Sequence, residues 1–401
     1  MSTFLVTGGA GFIGSHLCDA LVARGDTVRV LDDLSTGRRS NLPASAILIE
    51  GDVADAAAVY KAMDGVDGCF HLAAIASVER GITEWVGANQ ANMTGTITVF
   101  DAIRRQGSRI PVVYASSAAV YGDVAVVPTT EAEPCRPLSA YGADKYGCEL
   151  HARVAAHVYG IPTVGFRFFN VYGSRQDPKS PYSGVISIFC ERIASGRPIA
   201  IFGDGHQTRD FVYIADVVRA LLAGMALRPR NSPVFNVCGG IPTSIEELAH
   251  LIADLAGKKL AARRHPPRAG EIRHSLGVPS LADAVLGIGG RVPLRVGLSN
   301  VLTWMRESVG WPSCEKCPDN PGDAADRLDG ADFCRPAYAA RVAPGGSPAD
   351  VGCVDRADPV RDAGGLRQSA AAARVRIADD AAGRPPTAGH RRSGGGGHPG
   401  T

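Results

Sequence analysis

The sequence predicts an α/β fold, a doubly wound parallel sheet followed by a smaller α/β domain, and three observations predict it. Short apolar runs alternate with stretches of helical periodicity from the first residues onward. The first run, residues 3–6, opens into Thr7-Gly8-Gly9-Ala10-Gly11-Phe12-Ile13-Gly14, after which Leu17, Leu21 and Val22 mark a helix that ends at Gly25. The second run, residues 27–31, ends in Asp32, 18 residues after Gly14. Strand, glycine turn, helix and a carboxylate on the next strand end are the parts of a Rossmann-type dinucleotide site.

Each element has its own reason. Side chains at Gly8 or Gly11 would hold backbone amides away from a pyrophosphate, Gly14 lets the helix pack on the strand, and the helix N-terminus favours an anion. The spacing is Gly-x-x-Gly-x-x-Gly. Asp32 can accept both hydroxyls of an adenosine ribose and would repel a 2′-phosphate, which favours NAD over NADP. Arg38 and Arg39 follow closely, either as phosphate ligands or as solvated loop charges. A third run, residues 47–50, leads to Gly51-Asp52-Val53, and a fourth, residues 68–72, to Ala73-Ala74. Small residues at these strand ends leave room for the dinucleotide in the crevice.

The fifth run, residues 111–114, leads to Ala115-Ser116-Ser117-Ala118-Ala119-Val120-Tyr121-Gly122, and Tyr141-Gly142-Ala143-Asp144-Lys145 begins 24 residues beyond Ser117. Tyr141 and Lys145 at i and i+4 share one helix face. The lysine ammonium favours the phenolate, which can take a proton from a sugar or alcohol hydroxyl while hydride leaves the same carbon.

These motifs, with Arg167-Phe168-Phe169-Asn170-Val171-Tyr172-Gly173, resemble the extended short-chain dehydrogenase/reductase superfamily. Within it, the stretch from residue 3 to Arg306 is similar to the UDP-glucose 4-epimerase family. The resemblance implies NAD-dependent epimerisation of a UDP-sugar through a 4-keto intermediate. It makes Tyr141 the base, Lys145 its tuner and the holder of the nicotinamide ribose, and Ser117 a hydrogen-bond donor to the 4-oxygen. It implies a cofactor site of Gly8, Gly11, Phe12, Ile13, Gly14, Asp32, Asp33, Asp52, Val53, Leu72, Ala73, Ala74, Asn92 and Phe168, with Tyr141 and Lys145. On the substrate side it implies Asn170 at the sugar diphosphate, Val185-Ile186 and residues 199–202 (Ile201 among them) at the uridine, and Arg209 with Arg268 as a diphosphate clamp, two guanidinium forks suited to phosphate oxygens. Glu271 stands where relatives hold the uridine ribose, and Ser275 stands at the gate beside the sugar 2-substituent, where a tyrosine would exclude an N-acetyl group. Ala76 replaces a lysine that some relatives place near the nicotinamide pyrophosphate.

Rival readings follow from the same residues. Dehydratases of this fold resemble Thr-Asp-Glu where this chain has Ser117-Ala118-Ala119; two alanines offer neither acid nor base, so dehydration is disfavoured. A UDP-glucuronate 4-epimerase or another nucleotide-sugar epimerase remains an alternative, and a non-catalytic NAD-binding scaffold is the alternative of another class. In relatives, helices matching residues 94–104 and 144–159 pair in a homodimer; the other reading of their apolar residues Val99, Ile103 and Val154 is packing on their own sheet. Glycines in Leu286-Gly287-Ile288-Gly289-Gly290 predict a loosely closed small domain.

Composition sets the limits. The 401 residues carry 42 basic and 40 acidic side chains, a net charge of +2, and 45% hydrophobic residues, which disfavours a nucleic-acid wrapper or a wholly disordered chain. Residues 312–401 hold 14 Gly and 10 Pro but only 9 Ile, Leu, Val and Phe, the composition of a disordered, low-complexity tail or of an out-of-frame translation. The expected division is therefore 1–168 for cofactor binding, 169–311 for the nucleotide sugar, interleaved with the first, and 312–401 for the tail. A strand at the N-terminus in place of a leader, no apolar run of membrane length, and ten scattered cysteines point to the cytoplasm and away from membranes. Only Cys314 and Cys317 have metal-like spacing, and without a second close pair no metal is expected.

Overall fold

The computed structural model describes residues 1–178, 184–268 and 272–309. Glu271, Cys314, Cys317 and the expected tail from residue 312 lie outside the described residues.

Seven strands form one parallel sheet. In chain order they are β1 (Thr3–Thr7), β2 (Thr27–Asp32), β3 (Ile47–Glu50), β4 (Gly68–His71), β5 (Val112–Ser117), β6 (Thr163–Phe168) and β10 (Val234–Val237), arranged β10-β6-β5-β4-β1-β2-β3. The order reverses between β1 and β4, so the crevice at their C-terminal ends is the place for a ligand. The crossovers are helical: α1 (Phe12–Ala23), α2 (Ala56–Met63), then α3 (Val78–Thr83), α4 (Trp85–Asn89) and α5 (Gly95–Arg105), and α6 (Ala140–Tyr159). A π turn, Gln90–Thr94, joins α4 to α5.

The rest of the chain forms the substrate side. It comprises β7 (Asn170–Tyr172), α7 (Val185–Ala194), β8 (Ile199–Phe202), β9 (Thr208–Tyr213), α8 (Ile214–Leu227), β11 (Pro242–Ser244), α9 (Ile245–Ala256), β12 (Ala262–His265), α10 (Ser280–Leu286) and α11 (Leu294–Val309). Strands β11-β9-β7 make a three-stranded sheet, and β12 pairs with β8. Residue 168 is no clean boundary, because β10 returns to the large sheet and α8 packs on α1.

Apolar periodicity explains the cores. One face of the large sheet buries Val6, Val30, Phe70 and Phe166 under α1 and α8; the other buries Leu5, Leu31, Cys69 and Tyr114 under α2, α5 and α6. Val99 and Ile103 are fully buried in that second core, so they pack on their own sheet, whereas Val154 is about half exposed. A third core joins α7, α9 and α11 through Phe189, Ile252, Leu298 and Leu302. Helix α11 begins at Leu294 and carries Leu298 and Leu302 into this core.

The glycine-rich segment is tighter than its composition predicts. Gly287, at φ +65°, ends α10, and Ile288 is buried. Arg291 pairs with Asp283, Arg219 donates to the Gly290 carbonyl at 2.7 Å, and Val292 N donates to Asp216 at 3.0 Å. Side chains from distant elements supply the closure that the glycines lack.

Candidate active site

A cleft of about 1040 Å³ runs across the C-terminal ends of the strands. Its floor is the turn between β1 and α1. Gly8 has φ +69°, and a Cβ there would lie 2.7 Å from Ala73 N, in the loop just after β4 across the switch point. The N-terminus of α1 has no side-chain cap at Gly11, so its first amides are left for an anion. Gly11, Phe12, Ile13 and Gly14 all border the cleft there.

Asp32 closes one end of the cleft. Its carboxylate accepts from Ala10 N and Leu34 N, both at 2.9 Å, and faces the cleft from a buried position. Burial pushes its pKa up, the two N–H donors pull it back, and neighbouring Asp33 pushes it up again. The two arginines that follow are both engaged: Arg38 pairs with Asp177 and Arg39 with Glu50. Asp33, Asp52 and Val53 also border this end.

The β4 end is fixed by a buried relay. Thr96 Oγ1 donates to Asn92 O at 2.7 Å, so it accepts from His71 Nε2 at 2.9 Å; His71 Nδ1 then accepts from Thr7 Oγ1 at 2.8 Å. Thr7 Oγ1 in turn accepts from Leu72 N and Ala73 N, both at 3.2 Å. Leu72, Ala73 and Ala74 thereby line the cleft. Asn92 does not line it. Its side chain accepts from Ile75 N at 2.8 Å and meets Asp144, so it holds the loop that does. Arg80, whose N–H donates to the α3 cap Ser77 at 3.0 Å, also borders the cleft and pairs with Glu84.

Burial, with the charge of Lys145 added, drives the His71 pKa from 6.5 down to about 3. His71 is thus neutral when folded, while unfolded chains take up its proton below 6.5. A depressed base destabilises the fold as pH falls through that window. Between pH 7 and pH 5 this residue is expected to remove about 2 kcal/mol of stability. Urea titrations of the wild type and of His71→Asn at the two pH values check this; equal pH dependence in both proteins would contradict it.

Three candidate catalytic side chains meet on the same cleft. Ser117 ends β5 and accepts from Ala119 N at 3.2 Å; Tyr141 and Lys145 stand on the first turns of α6, which Ser139 caps. Lys145 is buried, donates to Ala115 O at 3.0 Å, and has its Nζ 6.0 Å from the centre of the Tyr141 ring. Phe168 and Asn170, at the ends of β6 and the start of β7, complete that wall. The three groups therefore face the region beside the glycine turn, where one carbon could meet both a base and a dinucleotide.

The substrate-side residues divide differently. Strand alternation in β8 turns Ile199 and Ile201 into the core and Ala200 and Phe202 outward, so the Ile201 side chain is buried and only its backbone can border a ligand. Ile186 is likewise in the core, with Val185 packed against it. Arg268 stacks on the outward Phe202, 4.0 Å from its ring centre, and Arg209 donates to Thr208 O at 2.9 Å. Ser275 N donates to Thr208 O at 3.2 Å, which lays residues 273–275 along β9. Arg209, Arg268 and Ser275 sit on this shelf and do not line the cleft itself. At the junction, the Gln176 amide oxygen is buried without a partner among the described residues and α7 starts at Gly184 with no side-chain cap, which leaves polar groups for a ligand.

Sequence reasoning missed a buried cluster behind Ser117. Glu149 and Arg167 form an ion pair at 2.7 Å, with Ser116, Tyr121 and Asn236 bonded around it. Its signal was a charged residue one helical turn after Lys145 and another in an otherwise apolar strand.

Comparison with known proteins agrees with this geometry. Residues 4–238 match the NAD dependent epimerase/dehydratase family. The chain is 37% identical over 305 residues to a putative UDP-glucose 4-epimerase of Methanocaldococcus jannaschii, covering 76% of this chain and 98% of that one. The fold is similar to a UDP-glucose 4-epimerase of Thermotoga maritima solved with UDP-glucose, with a TM-score of 0.73, 36% identity and coverage of 77% and 99%. A UDP-N-acetylglucosamine 4-epimerase of Methanobrevibacter ruminantium, solved with UDP-N-acetylmuramic acid, gives 0.72, 34%, 76% and 98%.

Proposed function

The chain belongs to the NAD dependent epimerase/dehydratase family, and from that premise we propose that it interconverts UDP-hexoses at carbon 4. The convergence of Ser117, Tyr141 and Lys145 on the cleft that holds the glycine turn and Asp32 carries the reading. The cofactor of this epimerase is NAD, and the residues present fit it: a turn that a Cβ would fill at Gly8, uncapped amides on α1, and a carboxylate at the ribose end. When bound, NAD would supply the hydride acceptor and donor for carbon 4. Tyr141 takes the 4-hydroxyl proton and gives it back, Lys145 holds the nicotinamide ribose, and Ser117 holds the 4-oxygen in place. Arg209 and Arg268 on the shelf, with Asn170 on the cleft wall, are suited to the diphosphate.

Ser275 is small, and with it the pocket admits UDP-N-acetylhexosamines as well as UDP-hexoses. The test is a panel of UDP-sugars incubated with the purified protein and no added NAD. Epimers of UDP-glucose and UDP-N-acetylglucosamine are the expected products; turnover of UDP-glucuronate alone would favour the other epimerase class, and no product would count against catalysis.

A homodimer fits the surface. Leu150, Val154 and Val158 repeat every fourth residue along α6 and are 43%, 48% and 60% exposed, with Ile97 of α5 and Trp85 of α4 also exposed. A contiguous apolar stripe of this kind is suited to a second copy. Val154→Asp is expected to turn the dimer into monomer in light scattering; a wild-type monomer would overturn the assignment. No helix among the described residues is long and apolar enough to cross a membrane.

A further inference from the structure

The end of β5 is tied to α6 by successive residues. Ala115, Ser116 and Ser117 all border the cleft; Ala115 gives its carbonyl to Lys145 Nζ at 3.0 Å, and Ser116 Oγ is turned to Glu149 Oε1, to which it donates at 2.5 Å. Strand alternation sends the side chains of Ser116 and Ser117 to opposite sides, and the helical repeat sets Lys145 and Glu149 one turn apart on one face of α6. Ser116, Glu149 and Arg167 are all buried. Arg167 is registered beside Ser116 in the neighbouring strand and reaches both carboxylate oxygens, Nε to Oε1 at 2.9 Å and Nη2 to Oε2 at 2.7 Å. Its other donors reach Tyr121 Oη at 2.9 Å, the Glu131 carbonyl at 3.4 Å and Cys135 Sγ at 3.2 Å. Tyr121 passes its own proton to Asn236 Oδ1 at 2.7 Å.

A buried ion pair is a poor source of stability, because the cost of removing two charges from water offsets their attraction. A fully partnered network supplies geometry, since each group has one satisfied position. An apolar pair would fill the same space and leave Ser116 without an acceptor. The arrangement therefore accounts for the position of a strand end better than for the stability of a fold.

We infer that Glu149, held by Arg167, is a positioning residue: through Ser116 it fixes the end of β5 and so the direction in which Ser117 presents its hydroxyl to the reacting sugar. This rests on the role proposed for Ser117. A misplacement of about 1 Å at such a group can cost on the order of a hundredfold in rate.

The test uses the full-length, NAD-loaded protein. Glu149→Gln strands the Arg167 charge and endangers the fold, so Ser116→Ala, which leaves the ion pair intact, is the primary variant. It is expected to lower kcat by about tenfold or more, with KM within about twofold and NAD content unchanged, and Ser116→Thr is expected to recover most of the loss. Amide exchange measured by mass spectrometry is expected to quicken at residues 112–117 and nowhere else. A Ser116→Ala enzyme with wild-type kcat, or exchange unchanged at that strand end, overturns the inference. Should the wild type turn over no UDP-sugar, the functional reading falls, and the exchange result alone decides for or against the tether.

Discussion

Tyr141→Phe is expected to lower kcat by about a thousandfold, the loss of one positioned proton acceptor, while the protein keeps its NAD and its unfolding midpoint. That is about 4 kcal/mol of transition-state stabilisation, removed with a single oxygen. The reason it should cost so little elsewhere is that Tyr141 is only partly buried and no hydrogen bond to its hydroxyl ties it to the fold among the described residues, whereas its neighbour Lys145 is anchored on Ala115 O. The measurement is epimer formation from a UDP-sugar, with cofactor content read on the same sample. A Tyr141→Phe protein with wild-type turnover would remove the base from the scheme and revive a non-catalytic NAD-binding role.

Gly14→Ala is expected to have the largest effect on the folded state. A Cβ at Gly14 would lie 2.2 Å from Gly8 O and 2.7 Å from Gly9 Cα. Both obstacles are backbone atoms, so no rotamer change relieves them, and either α1 or the turn must move. Overpacking of this kind typically costs about 1–3 kcal/mol, and the upper end is expected here because the turn itself is displaced. The same displacement spoils the amides that the pyrophosphate needs, so the variant should purify with little or no NAD and unfold at lower urea. Full cofactor content with an unchanged midpoint would mean that α1 does not pack as closely as its geometry implies. Among catalytic variants, by contrast, the fold should be indifferent; the two predictions separate the chemistry from the scaffold.

How much was legible depends on the range of the interaction. Local rules fixed the turn of residues 7–14, the Asp32 strand end and the Tyr141–Lys145 face, because each follows from backbone periodicity over a few residues. The substrate side was less legible. Ile201 was expected at the uridine, yet alternation along a four-residue strand turns it into the core and leaves Phe202 outward, where Arg268 stacks on it. Asn92 was expected on the cofactor and instead braces the loop beside it. Val99 and Ile103 pack on their own sheet, while Leu150, Val154 and Val158 form the exposed stripe.

The sequence by itself determined the sheet, the glycine turn with a carboxylate on the next strand end, and the phenol and ammonium on one helix face, since each follows from periodicity and spacing over a few residues. The tertiary structure added what separates two adjacent serines that both border the cleft: the Ser116 hydroxyl is drawn back to Glu149. Ser116 and Ser117 are the same residue type, and their roles separate only when Glu149, 33 positions away, and Arg167, 51 positions away, are brought beside one of them. It also decided that Arg38 and Arg39 are engaged by Asp177 and Glu50, and that the glycines after Leu286 are held by Arg219, Asp216 and Arg291. Pairings across such separations arise from the packing of whole elements, and no local pattern in the chain specifies them.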